Sequence, residues 1–580
     1  MMLEDWKDLI DYMAALKLNF LNVGVYGCWI IQYDNKITEF SFLPLNSCPD
    51  LRTPKIIRYY SPLKGEWVTL DYLPYMFKAD FFGELIAYGK KRNVIINPMF
   101  NSLGHNTMLP RLYPDTSAKD TDGNATGYSF CTSNIETYKV LFDIYDEIIA
   151  RYLKPNDIDW FAIGLDEVWN TIGIDPKDPF KKFDPWCKCP DCCEHSRDEL
   201  FINYIVKLAK YLKSKGMKNI CLFYDQLNTM ELINEKLVMR LKDEGLYESI
   251  VIDWWNYDTE IFKTTHAELG CRRFVMPMTG YYAWMLTDSY LTNIYKMLKL
   301  GHEEGVEGTK AYCVFDYSYD WNYHCLSDYA WNNTNTGSLE EFRQRYINKY
   351  FKKDGSNKAE KAFSWFDKLT EPASKIHDIG FILLNYYVYT YTNKDKEYPR
   401  NFPGEIFATL IDITQNKRLL LEDLLEAGTK AYKLFDELLE DMDNSYSTII
   451  EHYKVECWHY RILANEFLRL IEFGESYSSS EFQLKSKEGK LATLMEFKEV
   501  ILTLKGERER LMLSIEKVKK HYWIPSLLRN MSIYREYLKD IALFIDRAII
   551  SVNEGKLNDL PVLDLKDTRN IEGEMFKLLR

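Results

Sequence analysis

An alternation of amphipathic helices and short apolar runs through residues 1–337 is the feature that most limits the folds open to this chain. Apolar residues spaced i, i+3 and i+4 indicate helices, and short apolar runs between them indicate buried strands. Seven strands are predicted, at 20–26, 94–98, 160–165, 220–224, 249–254, 274–278 and 311–315. Helices are predicted before six of them, at 6–16, 81–91, 137–152, 200–213, 232–244 and 291–304. This alternation predicts a parallel sheet covered by helices.

The number of these units favours one fold class. Seven or so strand–helix units in roughly 330 residues are typical of a (β/α)8 TIM-type barrel rather than an open sheet. The chain opens on a helix, so a complete barrel needs one more strand before Met1. We therefore expect either a missing first strand or one supplied in another way. The barrel domain is predicted to span residues 1–337.

The second part of the chain, residues 338–580, is predicted to be an all-α domain. Long amphipathic stretches replace the strands, at 339–351, 359–369, 403–442, 447–473, 484–519 and 527–552. Leu, Tyr and Phe lie on their inner faces, as in a helical bundle. These helices carry no chemical constellation. They either cover the barrel or mediate a homodimer, and the sequence leaves both open.

Composition excludes several classes of protein. The net charge of −13 and the absence of a basic patch argue against nucleic-acid binding. No Gly-rich phosphate-binding turn follows a strand. The start of the chain lacks the features of a signal peptide, and no apolar run is long enough to span a bilayer. Together with scattered cysteines this predicts a cytoplasmic protein without membrane contact, unless an upstream segment holds a signal.

The adjacent acids Asp166 and Glu167 are the sharpest chemical feature. They directly follow the predicted strand 160–165, and the carboxyl ends of barrel strands form the active face. Neighbouring residues on a regular strand point in opposite directions, so both acids can serve one ligand only if the strand breaks there. Crowded carboxylates also raise one pKa, which favours acid catalysis near neutral pH. The alternative is a helix-capping pair or a solvated loop.

A second strand end carries Asn101, Gly104 and His105 within the stretch NPMFNSLGH. A lone histidine is more often structural than catalytic. Its position on the same predicted face as Asp166 favours a functional role.

Three motifs, in order, resemble glycoside hydrolase family 20, the β-N-acetylhexosaminidases. They are DYMAALKLNFLNV at 11–23, VIINPMFNSLGHNTMLPRLYPD at 94–115 and DWFAIGLDEVWN at 159–170. The resemblance implies a TIM barrel that needs no cofactor and removes terminal β-linked GlcNAc or GalNAc from a carbohydrate substrate. Family 123, which also uses the acetamido group, resembles the chain almost as well.

The resemblance also implies roles for the residues that match. Glu167 would be the general acid/base, and Asp166 would orient the substrate's 2-acetamido group, which attacks the anomeric carbon itself. His105 would support the acid/base. The chain departs from the family pattern at Leu165, which replaces a glycine, and at Asn101, which replaces an aspartate.

Later strand ends supply further candidates for substrate binding by the same resemblance. Trp254 and Trp255 fit the wall of the acetamido pocket, and Tyr281 or Tyr282 fits the donor to the acetamide oxygen. Tyr224 and Asp225 follow the fifth strand of the family pattern, and Asp316 fits a ligand of sugar hydroxyls. For each aromatic residue alone, core packing is the competing interpretation.

A cysteine cluster follows the acids by some twenty positions. Cys187, Cys189 and Cys192, with His195 as fourth ligand, match the ligand density of a structural zinc site. Disulfides and free thiols are the alternatives. If zinc binds, we expect it to stabilise the structure of this loop rather than to take part in catalysis.

Two rival functions remain open from the sequence. One is a glycosidase on the same barrel with two separated carboxylates, in which Asp225, Asp253 or Asp316 partners Glu167. The other is a non-catalytic carbohydrate-binding protein on a degenerate barrel.

Overall fold

The structure is a computed structural model of the chain. It describes residues 1–27, 40–51, 55–106, 108–168, 170, 184–280, 289–332, 335–351, 353–370, 418–440, 446–556 and 560.

Twelve strands are assigned in the described part of the chain. They are β1 Phe20–Gly27, β2 Phe40–Ser41, β3 Lys55–Ser61, β4 Glu66–Tyr72, β5 Ile95–Phe100, β6 Ser117–Lys119, β7 Ala125–Phe130, β8 Trp160–Gly164, β9 Asn219–Phe223, β10 Ile250–Trp255, β11 Arg272–Met276 and β12 Gly308–Thr309.

The described helices fall into two groups. Those before residue 338 are α1 Leu3–Ala15, α2 Tyr75–Ala79, α3 Phe82–Lys90, α4 Met108–Leu112, α5 Ile135–Ile148, α6 Pro190–Cys193, α7 Arg197–Ser214, α8 Asp225–Thr229, α9 Glu235–Asp243, α10 Leu291–Glu303 and α11 Asp320–Trp331. Those after it are α12 Leu339–Tyr350, α13 Lys353–Thr370, α14 Arg418–Glu440, α15 Ser447–Ser478, α16 Ser480–Leu484, α17 Lys487–Val518 and α18 Ile524–Asn553.

The main sheet confirms the predicted parallel alternation. Among the described residues its order is β12-β11-β10-β9-β8-β5-β1-β2, and every pairing except β1–β2 is parallel. β2 runs antiparallel along the free edge of β1, with Tyr26 opposite Ser41. No pairing between described residues joins β12 to β2. The sheet is therefore an open, curled one here, and a closed eight-stranded barrel stays a prediction.

The concave face of the sheet is lined by residues from distant strands. The Phe20 ring on β1 lies 4.9 Å from the Trp160 ring on β8 and 6.3 Å from the Phe274 ring on β11. Below the carboxyl ends of the strands, Lys310 Nζ lies 2.8 Å from Asp253 Oδ2, and both side chains are buried. These contacts between β1 and the far side of the sheet show how strongly it curls.

The convex face packs against helices, and α11 lies beside α1. Tyr12 on α1 donates to Asp320 on α11. Trp331 Nε1 donates to the Lys17 carbonyl at 2.8 Å. The first and last helices before residue 338 are therefore in contact, although no pairing between described strands joins the two edges of the sheet.

The helices after residue 338 share one apolar core with α10, α11 and β3. α12 begins as the sequence dictates, with Ser338 and Glu341 forming a reciprocal capping box. A buried ionic cluster joins the two parts of the chain, because Lys519 Nζ lies 2.9 Å from Asp316 Oδ1 and 2.6 Å from Glu456 Oε1. No described helix has both the length and the apolar composition that crossing a bilayer requires.

Sequence patterns missed or misplaced some elements. The hairpins β3–β4 and β6–β7 and the short β2 were not predicted. The last strand was predicted at 311–315, whereas the regular strand β12 covers Gly308–Thr309. The chain beyond β12 still pairs in parallel with the segment after β11: Tyr312 forms a bridge to Met278, and the N–H groups of Tyr312 and Val314 donate to the Pro277 and Gly280 carbonyls at 2.9 and 3.0 Å. The prediction therefore found the pairing segment but misplaced the regular strand within it.

Candidate active site

Asp166 and Glu167 lie at the carboxyl end of β8, where the strand breaks. Gly164, Leu165 and Glu167 have φ values of 71°, 76° and 53°, in the left-handed region that non-glycine residues seldom adopt. Leu165 is fully buried, so packing holds this strained backbone in place. The break removes the alternation of a regular strand and lets both carboxylates face one side.

His105 is the group on which the two carboxylates converge. Its Nε2 lies 3.2 Å from Asp166 Oδ2 and 3.1 Å from Glu167 Oε2. Burial acts to lower the pKa of His105, but the charges of the two carboxylates and their hydrogen bonds to the ring raise it well above its usual value. The two acids therefore favour the imidazolium form of His105.

Gly104 allows the histidine loop to approach the acids this closely. A Cβ on Gly104 would lie 1.7 Å from the carbonyl oxygen of Asp166, which no side chain tolerates. The Ser102 N–H donates to the Ile163 carbonyl at 3.0 Å, so the loop continues the pairing of β5 with β8. The loop and the β8 turn are thus packed backbone against backbone.

Asp225, at the first position of α8, fixes the turn from the other side. Its Oδ2 accepts the Glu167 N–H at 2.8 Å, and its Oδ1 accepts Trp255 Nε1–H at 3.1 Å. Burial, with added repulsion from Asp166, raises the pKa of Asp225 to about 7. The carboxyl with a raised pKa is therefore that of Asp225, with burial as the larger cause, and both of its oxygens accept hydrogen bonds from protein donors.

An aromatic wall, defined here as Trp255, Tyr257 and Tyr312, stands next to the acids. The Trp255 and Tyr257 rings are stacked with centroids 5.0 Å apart, and the Tyr312 ring is 5.9 Å from Tyr257. Burial raises the pKa of Tyr312 to about 12, with smaller contributions from Cys313, Asp166 and Glu167. The charges of Asp166 and Glu167 therefore act on the phenol of Tyr312, which shows that the wall lies near both acids.

The remaining sequence candidates divide between the site and the core. Asn101 is buried beside Gly164, and its Oδ1 has no hydrogen-bond partner in the described structure. Tyr224 is half-buried and stacks on Trp254, with ring centroids 4.5 Å apart. Trp254 is only 2% exposed and belongs to the core between sheet and helices, because it alternates with Trp255 along β10.

Asp316 lies outside this group. It is 1% exposed and contacts His452 and Lys519 of the C-terminal helices instead of facing the strand ends. The sequence could not show this, because both partners are more than a hundred residues away. Tyr281 and Tyr282 lie outside the described residues.

Comparison with known proteins identifies the family. Residues 1–300 match the model of glycosyl hydrolase family 20, catalytic domain. The chain belongs to family 20. Its activity is accordingly that of a glycoside hydrolase acting on carbohydrate. Among solved structures, the chain is similar to a β-N-acetylhexosaminidase from Bacteroides fragilis NCTC 9343, at 17% identity and a TM-score of 0.37, over 60% of this chain and 67% of the other.

Within this family 20 chain, sequence reasoning missed four residues of the site. Tyr257 and Tyr312 complete the aromatic wall; a signal existed for Tyr257, two positions beyond Trp255 at the end of the same strand. Tyr26 donates to Asn106 Oδ1 at 2.7 Å, and Asn106 Nδ2 donates to the Asn101 carbonyl at 2.7 Å. This chain of bonds fixes the histidine loop to β1.

The predicted cysteine site is corrected at one ligand. The Sγ atoms of Cys187, Cys189 and Cys192 lie together with that of Cys131, all within 4.8 Å of one another. His195 is not part of this group; it is exposed and its Nδ1 lies 3.8 Å from Glu199. Cys131 follows β7, and no spacing rule links it to a cluster that begins at residue 187.

Proposed function

We propose that this family 20 glycosidase removes terminal β-linked N-acetylhexosamine, GlcNAc or GalNAc, by substrate-assisted retaining hydrolysis. One observation carries the proposal. Asp166 and Glu167 converge on His105, while the buried Oδ1 of Asp166 has no hydrogen-bond partner among the described residues. An unpaired buried acceptor is costly unless a ligand supplies a donor. The N–H of a 2-acetamido group is such a donor.

The proposed reaction assigns one role to each acid. Glu167 donates its proton to the glycosidic oxygen while the bond from that oxygen to the anomeric carbon breaks. The carbonyl oxygen of the acetamido group bonds to the anomeric carbon, and Asp166 accepts the amide N–H and stabilises the positive charge of the oxazolinium. Glu167 then takes a proton from a water molecule. The water oxygen bonds to the anomeric carbon and opens the oxazolinium ring, so the anomeric configuration of the sugar is retained. No cofactor is needed.

His105 and Asp225 are positioning residues in this proposal. Nε2 of His105 lies within hydrogen-bond distance of both acids and fixes their side chains, and its hydrogen bond to an ionised carboxylate is charge-assisted and stronger than a neutral one. Asp225 holds the backbone of Glu167 and the indole of Trp255. The Asp225 carboxyl therefore positions both the acid Glu167 and Trp255, which belongs to the aromatic wall that would receive the acetamido methyl group.

The arrangement of the other acids argues against a mechanism with two separated carboxylates. Asp225 accepts two protein donors, Asp253 is paired with Lys310, and Asp316 is paired with Lys519. Each of the three is therefore engaged by protein groups rather than presented to a sugar.

Hydrolysis of 4-nitrophenyl β-N-acetylglucosaminide and β-N-acetylgalactosaminide tests the proposal. Glu167→Gln and Asp166→Asn should each lower kcat by on the order of 10²–10⁴-fold. Asp159→Asn, at the opposite end of β8, is the matched control and should retain activity. Azide can replace a missing acid/base as an external nucleophile, so rescue of Glu167→Gln by azide would support its role.

Three outcomes would contradict the proposal. Undiminished activity of Glu167→Gln would remove its role as acid. A thiazoline analogue of the N-acetyl sugar mimics the oxazoline, so its failure to inhibit an active enzyme would exclude substrate assistance. No activity on any acetamido sugar would favour the non-catalytic alternative.

The domain assignment is part of the proposal. Residues 1–337 would form the catalytic unit, and residues 338–580 would support it through the core and the ionic cluster that both share. The homodimer stays a prediction.

A further inference from the structure

Four free thiols, here called the thiol cluster, lie apart from the acids. They are Cys131 after β7, and Cys187, Cys189 and Cys192 before and within α6. Three of them are buried, with 3%, 6% and 2% exposure for Cys131, Cys187 and Cys192. Among the described residues, Ala118 and Leu200 are the apolar residues buried with them. This small cluster has too little apolar surface to form a core of its own.

The spacing of the sulfur atoms fits a tetrahedral metal site. Cys131 Sγ lies 3.7 Å from both Cys189 Sγ and Cys192 Sγ. Four thiolates at the zinc–sulfur distance of about 2.3 Å stand about 3.8 Å apart at the corners of a tetrahedron. A disulfide would require a separation of about 2.05 Å and would use only two of the four.

The surrounding backbone is arranged to stabilise thiolates. The Lys119 N–H and the Cys189 N–H both point to Cys187 Sγ, at 3.2 Å and 3.4 Å. The Cys192 thiol donates to Ser133 Oγ at 3.1 Å, and this hydroxyl can donate in turn to an ionised sulfur. Donors directed at a metal-bound sulfur are typical of the groups that orient ligands around a metal.

We infer that Cys131, Cys187, Cys189 and Cys192 bind one structural Zn²⁺ ion. Four thiolates leave no open position, which is typical of structural and not of catalytic zinc. Soft thiolate ligands favour zinc over magnesium or calcium. The inference is independent of the sugar that the enzyme cleaves.

The position of the cluster indicates what the zinc would hold together. Cys131 ends the β6–β7 hairpin, whose Ser129 N–H donates to the Asn106 carbonyl at 3.3 Å, next to His105. The other three ligands belong to the segment that leads into α7. The zinc would therefore clip that segment to the hairpin that supports the histidine loop.

Elemental analysis of the full chain, purified under reducing conditions, tests the inference. We expect one zinc per chain. The zinc content of Cys131→Ser should be at least ten-fold lower than that of the wild type. His195→Asn and Cys193→Ser should keep their zinc, because His195 and Cys193 are exposed and lie outside the cluster. Substitution by Co²⁺ should give the visible absorption of tetrahedral thiolate coordination, and chelation should lower the midpoint of thermal unfolding.

The inference would be overturned by wild-type protein without zinc, by iron in its place, or by disulfides among the four cysteines. Loss of zinc in His195→Asn with retention in Cys131→Ser would restore the ligand set expected from the sequence. If Cys131→Ser does not fold, the metal content of the wild type and of the two control variants still decides.

Discussion

The backbone N–H of Glu167 donates a 2.8 Å hydrogen bond to Oδ2 of Asp225, and the other oxygen of Asp225 accepts the Trp255 indole N–H. Asp225→Ala would leave both donors without a partner. We expect kcat to fall by roughly 10-fold or more, since a lost buried hydrogen bond to a charged group is worth about 1.5–3 kcal/mol. Steady-state kinetics on a 4-nitrophenyl N-acetylhexosaminide measure this. Asp258→Ala, an exposed residue beyond β10, is the control, and equal loss in both variants would contradict the positioning role.

Gly104 should tolerate no side chain. In Gly104→Ala the new Cβ would collide with the Asp166 carbonyl, so the histidine loop or the β8 turn must move. We expect loss of most of the activity together with a lower thermal midpoint. Gly506→Ala is the matched control, because no atom lies within 4 Å of its added Cβ, and alanine is the better helix former. Normal activity in Gly104→Ala would mean that this close packing is not needed for catalysis.

His105 should make stability depend on pH above neutrality. Its pKa is raised in the folded protein, so the folded state holds a proton that the unfolded state releases from about pH 6.5 upward. The stabilisation is complete below that pH and is lost as the pH rises through the folded pKa. The free energy of unfolding of the wild type should therefore fall over this range.

His105→Gln, whose side chain does not titrate, provides the comparison. The difference in unfolding free energy between wild type and variant, measured by denaturant titration from pH 6 upward, should shrink with rising pH. A difference that stays constant or grows would show that His105 is not protonated in the folded protein.

The sequence predicts the regular layers of this fold well. The predicted strand at 160–165 is β8 Trp160–Gly164, and the predicted helix at 200–213 lies within α7 Arg197–Ser214. Both are long or strongly apolar segments whose periodicity reflects burial. β3 and β4 escaped prediction because they form a separate hairpin with a partly exposed face, which lacks the apolar run of the central strands.

Prediction of the site was limited by contacts between distant segments. Asp166 and Glu167 could be found because they end an apolar strand. The roles of Asp225 and Cys131 depend on partners 30 or more positions away, in turns whose backbone the sequence does not specify. Asp316 is the opposite case. It follows the last predicted strand and was expected at the site, but its side chain contacts Lys519, 203 positions later.

Lys519 should be essential to the joint between the two parts of the chain. It is buried with Asp316, Glu456 and Ser318, whose hydroxyl lies 2.5 Å from Nζ. Lys519→Met would leave Glu456 without its cation and Asp316 with His452 alone, and breaking a buried pair in this way costs about 3–5 kcal/mol. The exposed Lys517→Met, two residues earlier at the end of α17, is the control and should change stability little.

The pH dependence of this joint gives a second measurement. Burial acts to raise the pKa of Asp316, but Lys519 and His452 hold it well below its usual value. Its stabilisation is therefore present above the unfolded pKa of about 3.9 and is lost as the pH falls through the folded value. As the pH falls below about 3.9, the midpoint of thermal unfolding of the wild type should fall more steeply than that of Asp316→Asn. Parallel curves for the two proteins would show that Asp316 is not held ionised by Lys519.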